Sequence, residues 1–131
     1  GMDVSHEDLS ANYDRSLSIN FVGSLDSGFS SAGSCDLVSS GCHGTAVSGI
    51  MAARDGNNIG VSGVAPRAKI GIRNILRNST DSNSNRAMLE NSSSVWVSNN
   101  SWGAADNTGK LAESGFFWQS GVASAFSTGR N

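Results

Sequence analysis

Charge is scarce in this chain: charged residues make up 15% of 131 positions and the formal net charge is −2, against about 25% in ordinary soluble domains. No basic block is present, which argues against a nucleic-acid partner, and there is no acidic tail. No run of about 18 apolar residues occurs, so no membrane span is expected, and no signal-peptide pattern is found. Proline occurs once, at Pro66, and cysteine twice. Two cysteines do not make the four-ligand set that structural zinc wants. Small neutral residues take the place of charge: 25 Ser, 16 Gly and 13 Asn. Turn-rich secreted proteins have that composition, and so do disordered chains. The hydrophobic content of 37%, with three Trp and five Phe, favours a folded chain of one small domain, able to bury roughly two thirds of its unfolded surface.

Two features keep two readings each. Cys35 and Cys42 lie in a Ser/Gly-rich stretch; their spacing suits either a small disulfide loop of an oxidising compartment or a pair of thiols. Gly1-Met2 reads either as a cloning scar before a start codon or as native sequence.

Asp3-Val4-Ser5-His6-Glu7-Asp8-Leu9 predicts a turn or short helix capped by Asp3 or Ser5, and residues 22–42 a loop. From 43 to 54 apolar residues fall at helical spacing, and Asp55-Gly56-Asn57-Asn58 supplies turn formers to stop the helix. Residues 69–76 read as a strand, 84–91 as a weaker helix, 95–101 as a second strand and 111–126 as a helix ending at Gly129. Strand, helix, strand, helix argues for an α/β fold with a parallel sheet.

Chemistry concentrates in Cys42-His43-Gly44-Thr45-Ala46-Val47-Ser48-Gly49. A histidine opening a helix projects from a rigid base, a glycine after it lets other backbone come close, and a threonine can satisfy free amides. With Gly63-Val64-Ala65-Pro66 downstream, this stretch resembles the histidine motif of the subtilisin-like serine proteases. The resemblance covers about residues 1–131 and implies a partial subtilisin-like fold, its parallel sheet flanked by helices and incomplete. Such catalytic domains are about twice this long, so the chain is expected to be a fragment, a single partial catalytic domain over 1–131.

The resemblance also assigns residues. His43 would be the catalytic base. His6-Glu7-Asp8-Leu9 resembles the segment that follows the catalytic aspartate motif, which would place that aspartate ahead of Gly1. Neither Asp3 nor Asp8 matches the motif, and both are rejected as substitutes. Asn99-Asn100-Ser101-Trp102-Gly103 resembles the Ser-Trp-Gly wall of the substrate cleft in the kexin-like branch, making Ser101, Trp102 and Gly103 substrate-binding. Asp106 matches a carboxylate of the first specificity pocket, with a solvated loop aspartate as the other reading. Ala104 and Ser40 depart from the kexin-like pattern, so dibasic specificity is not implied. Asn131 precedes the oxyanion asparagine of the family, and no Gly-Thr-Ser-x-x-x-Pro nucleophile motif is present.

For calcium, a hard cation that takes six to eight oxygens, the resemblance implies the Asp8 carboxylate, the Asn57 amide oxygen and the carbonyls of Arg54, Ile59 and Val61. The other reading is an ordinary turn after a helix. Asn78-Ser79-Thr80, Asn91-Ser92-Ser93 and Asn99-Asn100-Ser101 satisfy the glycosylation pattern, which a chain so rich in Asn and Ser is expected to match by chance.

The expected function is that of a secreted, cell-surface or periplasmic serine endopeptidase acting on peptide or protein substrates, with this stretch inactive by itself. The alternative is a catalytically dead module that self-associates, as a homo-oligomer, or docks a complementary fragment through exposed sheet edges.

Overall fold

The computed structural model describes residues 1–23, 42–103, 109 and 113–129. The chain divides into two compact units, Gly1–Arg77 and Asn78–Asn131, each described by itself.

In the first unit two short strands, β1 (Ile19–Asn20) and β2 (Arg73–Asn74), pair in parallel with Ile19 opposite Arg73 and Asn20 opposite Asn74. A parallel bridge between Tyr13 and Ile70 extends the pairing. The Ile19 and Phe21 amides donate to the carbonyls of Ile72 and Asn74, and the Ile70 amide to that of Asn12. The strand expected at 69–76 is thus present in its first part. It stops where Leu76–Asn78 tightens into a 3-10 turn. Ile70 and Ile72, two apart and on one face, join Met2, Leu9 and Ala52 in the core, with Val4, Tyr13 and Met51 against it. The expected turn at the N-terminus forms, with Asp3 Oδ1 accepting from both the amide and the hydroxyl of Ser5.

Helix α1 spans His43–Ala52, ending short of the expected Arg54. The reason lies in the Gly-Val-Ala-Pro stretch. An α-helix ends with carbonyls that lack intrahelical donors. Here the amides of Val64 and Ala65 donate to Ile50 and Met51 at 2.9 and 2.8 Å, and the Gly63 amide donates to Ala53 at 3.0 Å. A side chain at Gly63 would put its Cβ 2.5 Å from the Ala53 nitrogen, so this approach requires glycine. Asn12, 0% exposed, ties the same region together. Its Nδ2 donates to the carbonyls of Ala52 (2.9 Å) and Pro66 (2.7 Å), and its Oδ1 accepts from Arg54 Nη1 at 3.0 Å.

The second unit holds α2 (Asp81–Leu89) and α3 (Phe116–Ser127). Helix α2 starts three residues ahead of the expected position because Thr80 caps it, its Oγ1 accepting from the Asn83 amide at 3.2 Å, with Asp81 favourably placed in the first turn. It ends where Glu90 turns extended and Asn91 adopts φ 59°. The two helices meet at Gly121, whose missing side chain leaves room for Met88 and Asn85; Asn85 Nδ2 donates to the Phe117 carbonyl at 3.1 Å. The strand expected at 95–101 does not form. After a 3-10 turn at Ser92–Ser94, residues 96–101 carry no ladder among the described residues. A strand exists only by pairing, and no described strand lies beside this segment. The fold is α/β with a parallel sheet, as read, but that sheet is β1–β2 and does not include 95–101.

Candidate functional site

His43 is the first residue of α1, and its side chain stands exposed. Cys42 precedes it as N-cap without a side-chain cap bond and is disulfide-bonded. The other cysteine, Cys35, falls outside the described residues, as do Ser40 and positions 24–41 of the loop expected at 22–42. Gly44 lies against the Gly1 backbone, where a Cβ would come within 1.9 Å of the Gly1 oxygen. Thr45 serves a different amide from the one expected: its Oγ1 accepts from Asp3 N–H at 2.9 Å, joining the N-terminal segment to the helix instead of capping the helix's own first turn.

Among the described residues no carboxylate pairs with His43. The two aspartates considered as substitutes, Asp3 and Asp8, are committed elsewhere. Asp3 is held by Ser5, and the Ser5 hydroxyl bond keeps its carboxyl below the usual range. Asp8, 2% exposed, accepts from Asn57 Nδ2 at 2.7 Å on one oxygen and from the Val61 amide at 2.9 Å on the other. Those two bonds, the Asn57 amide first, hold its carboxyl below the usual range. Its own carbonyl accepts from Arg54 N–H at 2.8 Å.

Of the residues in the predicted calcium set, Asn57 and Val61 bond the Asp8 carboxylate, Arg54 N–H bonds the Asp8 carbonyl and the Ile59 amide faces Asn57 Oδ1. Gly60, at φ +59°, sits so close that a Cβ would lie 1.8 Å from Asp8 Oδ2. The donor chemistry is hard oxygen: one carboxylate, one amide and backbone carbonyls, which suits calcium at low charge. The amide orientation differs from that of a ligand, since Asn57 presents its NH2 to Asp8 while Oδ1 faces the Ile59 amide at 3.4 Å. Among the described residues no three His, Cys, Asp or Glu side chains cluster as a metal site. The donor types are the hard oxygens that calcium takes and not those of a transition-metal site, but as placed both Asp8 oxygens accept from N–H groups and the Asn57 amide would have to turn over to offer its oxygen.

In the second unit Ser101, Trp102 and Gly103 are exposed, and no backbone hydrogen bond occupies 96–103 among the described residues. Asn99 Nδ2 donates to Ser101 Oγ at 2.7 Å. The Trp102 ring meets that of Trp118 edge-on, centroids 4.9 Å apart at 66°, which fixes the segment against α3. Asp106, like Ala104 and Asn131, lies outside the described residues.

The profile of the Subtilase family matches residues 1–130. The chain belongs to the subtilase family. Two Hydra vulgaris proteins, "PC3-like endoprotease variant B" and "PC3-like endoprotease variant A", are each 34% identical to it over 108 residues, 82% of this chain. The chain spans 15% of the first and 13% of the second. No solved structure matches. Within the subtilase fold the sequence reading located the helix with its histidine, but it missed Asn12. A lone asparagine in a turn carries no periodic signal, and only the burial of its side chain among two carbonyls and a guanidinium shows its part.

Proposed function

We propose that the protein carrying this stretch is a secreted or cell-surface serine endopeptidase of the kexin-like branch, with His43 as its general base. The observation that carries the reading is the exposed imidazole at the start of α1, a helix pinned at its far end by Gly63, Val64 and Ala65. In this reading His43 accepts the proton of a serine outside this stretch as that serine attacks the peptide carbonyl, then returns a proton to the leaving amine. The orienting carboxylate also comes from elsewhere, since Asp3 and Asp8 are both bound to other partners. Ser101, Trp102 and Gly103 bind the substrate main chain. Their support is the backbone at 96–103, which makes no backbone–backbone bond among the described residues and can add an extended peptide as a further strand. Asp106 is proposed to line the first specificity pocket.

Calcium would be held by the Asp8 carboxylate, the Asn57 amide oxygen and the carbonyls of Arg54, Ile59 and Val61. When bound it would neutralise the Asp8 charge and stiffen the loop after α1, with no part in the proton transfers.

The 131 residues alone are proposed to be inactive, because a base without nucleophile and oxyanion donors retains little of a triad's effect. The test pairs fluorophosphonate labelling, read by intact mass, with a general peptidase assay, on this chain and on its full-length coding product. The expected result is labelling and turnover in the long protein only, with His43→Ala lowering turnover roughly 10⁴-fold or more. An adduct on the 131-residue chain, or full turnover in His43→Ala, would sink the proposal.

A second reading, a self-associating module, draws on exposed apolar side chains. Ile50 is 71% and Val64 87% exposed, and the Val64 amide bonds the Ile50 carbonyl, so the two lie together; apolar surface that is contiguous suits contact with another chain. Sedimentation of the purified chain tests it; a monomer at all concentrations counts against it.

A further inference from the structure

Residues 96–103 make no backbone–backbone hydrogen bond among the described residues, so side chains must set where this segment lies. The bonds from Asn99 to Ser101 and from Asn100 to Ser98 stay within the segment. The ring contact of Trp102 with Trp118, centroids 4.9 Å apart, reaches out of it. Trp102 is 44% exposed, whereas Trp96, earlier in the same segment, is 82% exposed. Trp118 stands on a helix that is itself held. It shares a face of α3 with Gly121 and Ala125, both buried, and Gly121 takes Met88 and Asn85 of α2 against it. The Gln119 side chain donates to the Ser114 carbonyl at 2.8 Å, closing the first turn of α3, and Asn85 Nδ2 holds the Phe117 carbonyl next to Trp118.

We propose that Trp118 is a positioning residue for substrate binding: its ring holds Trp102, and through it the main chain of residues 101–103, in the arrangement that receives a peptide. The proposal rests on the reading of Ser101, Trp102 and Gly103 as substrate-binding. An edge-to-face ring pair at this separation is favourable beyond the area it covers. A segment without a ladder gives up backbone freedom when it pairs with a peptide. The ring contact withdraws part of that freedom beforehand, so less is lost on binding. Trp118 acts through Trp102 and does not itself touch substrate. Its help concerns main chain and falls on every peptide alike, whatever the side chains. The contact serves the bound substrate and the transition state equally, so it lowers KM and leaves kcat unchanged.

The test is made on the full-length coding product with a set of peptides that differ in their side chains. Competent sites are counted by fluorophosphonate labelling read by intact mass. Trp118→Ala is expected to raise KM about 2- to 10-fold for every peptide, with kcat per labelled site unchanged. Loss of fold would instead lower the number of labelled sites and leave the KM of the remainder as it was. Trp118→Phe keeps an aromatic edge against Trp102 and is expected to hold KM within about twofold of the parent. The ring pair also has a signature of its own, the exciton couplet of two indoles in the far-ultraviolet circular dichroism, expected in the parent and lost in both Trp102→Phe and Trp118→Phe. An unchanged KM in Trp118→Ala, with turnover still lost in His43→Ala, overturns the proposal and leaves the peptidase reading intact. A rise confined to peptides with one kind of side chain overturns it as well, since Trp118 would then meet substrate itself. So does a couplet that Trp118→Phe leaves in place. Turnover that survives His43→Ala sinks the peptidase reading, and this proposal with it.

Discussion

Asn57 and Asp8, 49 residues apart in sequence, are joined by a 2.7 Å hydrogen bond from Nδ2 to Oδ1. It closes the loop after α1 onto the N-terminal segment. The same carboxylate takes the Val61 amide on its other oxygen, so a single buried aspartate organises the whole of residues 54–61.

The close approach of Gly60 to that aspartate predicts a contrast between two glycines. Both Gly56 and Gly60 have positive φ, but nothing lies within 4 Å of a Cβ built on Gly56, whereas one on Gly60 would meet Asp8 Oδ2 at 1.8 Å. Gly56→Ala carries backbone strain alone, about 1–2 kcal/mol. Gly60→Ala adds displacement of the carboxylate and is expected to cost at least about 2 kcal/mol more. Urea unfolding of the two variants checks the order.

Stability should follow the ionisation of Asp8. Its folded-state carboxyl lies below the ordinary 3.8 because of Asn57 and then Val61, so the unfolded chain binds the proton more readily. The contribution is therefore complete above the ordinary carboxylate value and is lost as pH falls through the lower, folded one. Asp3 and Asp14, lowered by the hydroxyls of Ser5 and Ser16, act in the same direction. Unfolding midpoints across the acid range should fall less steeply in Asp8→Asn than in the parent chain, with Asp3 and Asp14 supplying the remaining slope.

Calcium should raise the unfolding midpoint of the chain. At tenfold excess over its dissociation constant an ion bound only by the folded state adds about 1.4 kcal/mol. Thermal unfolding in calcium and in chelator, compared in the parent chain and in Asn57→Ala, measures it. The difference is expected in the first and absent in the second.

Asn12→Ala removes two donations and one acceptance made by a fully buried side chain. Leaving the buried Ala52 carbonyl and the half-buried Pro66 carbonyl and Arg54 guanidinium without that partner is expected to cost about 1–3 kcal/mol, large against the usual stability of a domain. Denaturant titration checks it.

Gly121 reports on the helix pair. A Cβ there would sit 3.2 Å from Met88 Cβ and 3.3 Å from Asn85 Cα. Alanine would gain about 1 kcal/mol of helix propensity and lose a comparable amount by crowding, a near balance. Val has no such offset and is expected to lose about 1–3 kcal/mol by overpacking. Helical circular dichroism through thermal unfolding separates the two variants.

The sequence was most legible where a pattern is local. The apolar spacing from 43 onward placed α1 because a helix makes its own hydrogen bonds. The motif residues Asp8, Asn57 and Val61 were drawn together because a family resemblance carries tertiary information that composition lacks. Residues 95–101 misled because Val95-Trp96-Val97 has the character of a strand without a described partner to pair with. Ile19–Asn20 went unread for the opposite reason: two residues are too short for any periodicity, and only pairing with Arg73–Asn74 makes them a strand. Thr80 was readable as a cap, yet the polar run that follows it carries no apolar stripe to announce a helix.

The bonds that define the first unit reach far along the chain. Asn12 waits for Pro66, 54 residues on, and Asn20 for Asn74, again 54 on. During vectorial synthesis residues 13–20 therefore lack their strand partners until Ile70, Ile72 and Asn74 have followed. Until then they are an unfolded tether, open to proteases and chaperones. A nascent chain arrested shortly before Ile70 should be cut by protease within residues 13–20, while one arrested well beyond Asn74 should resist.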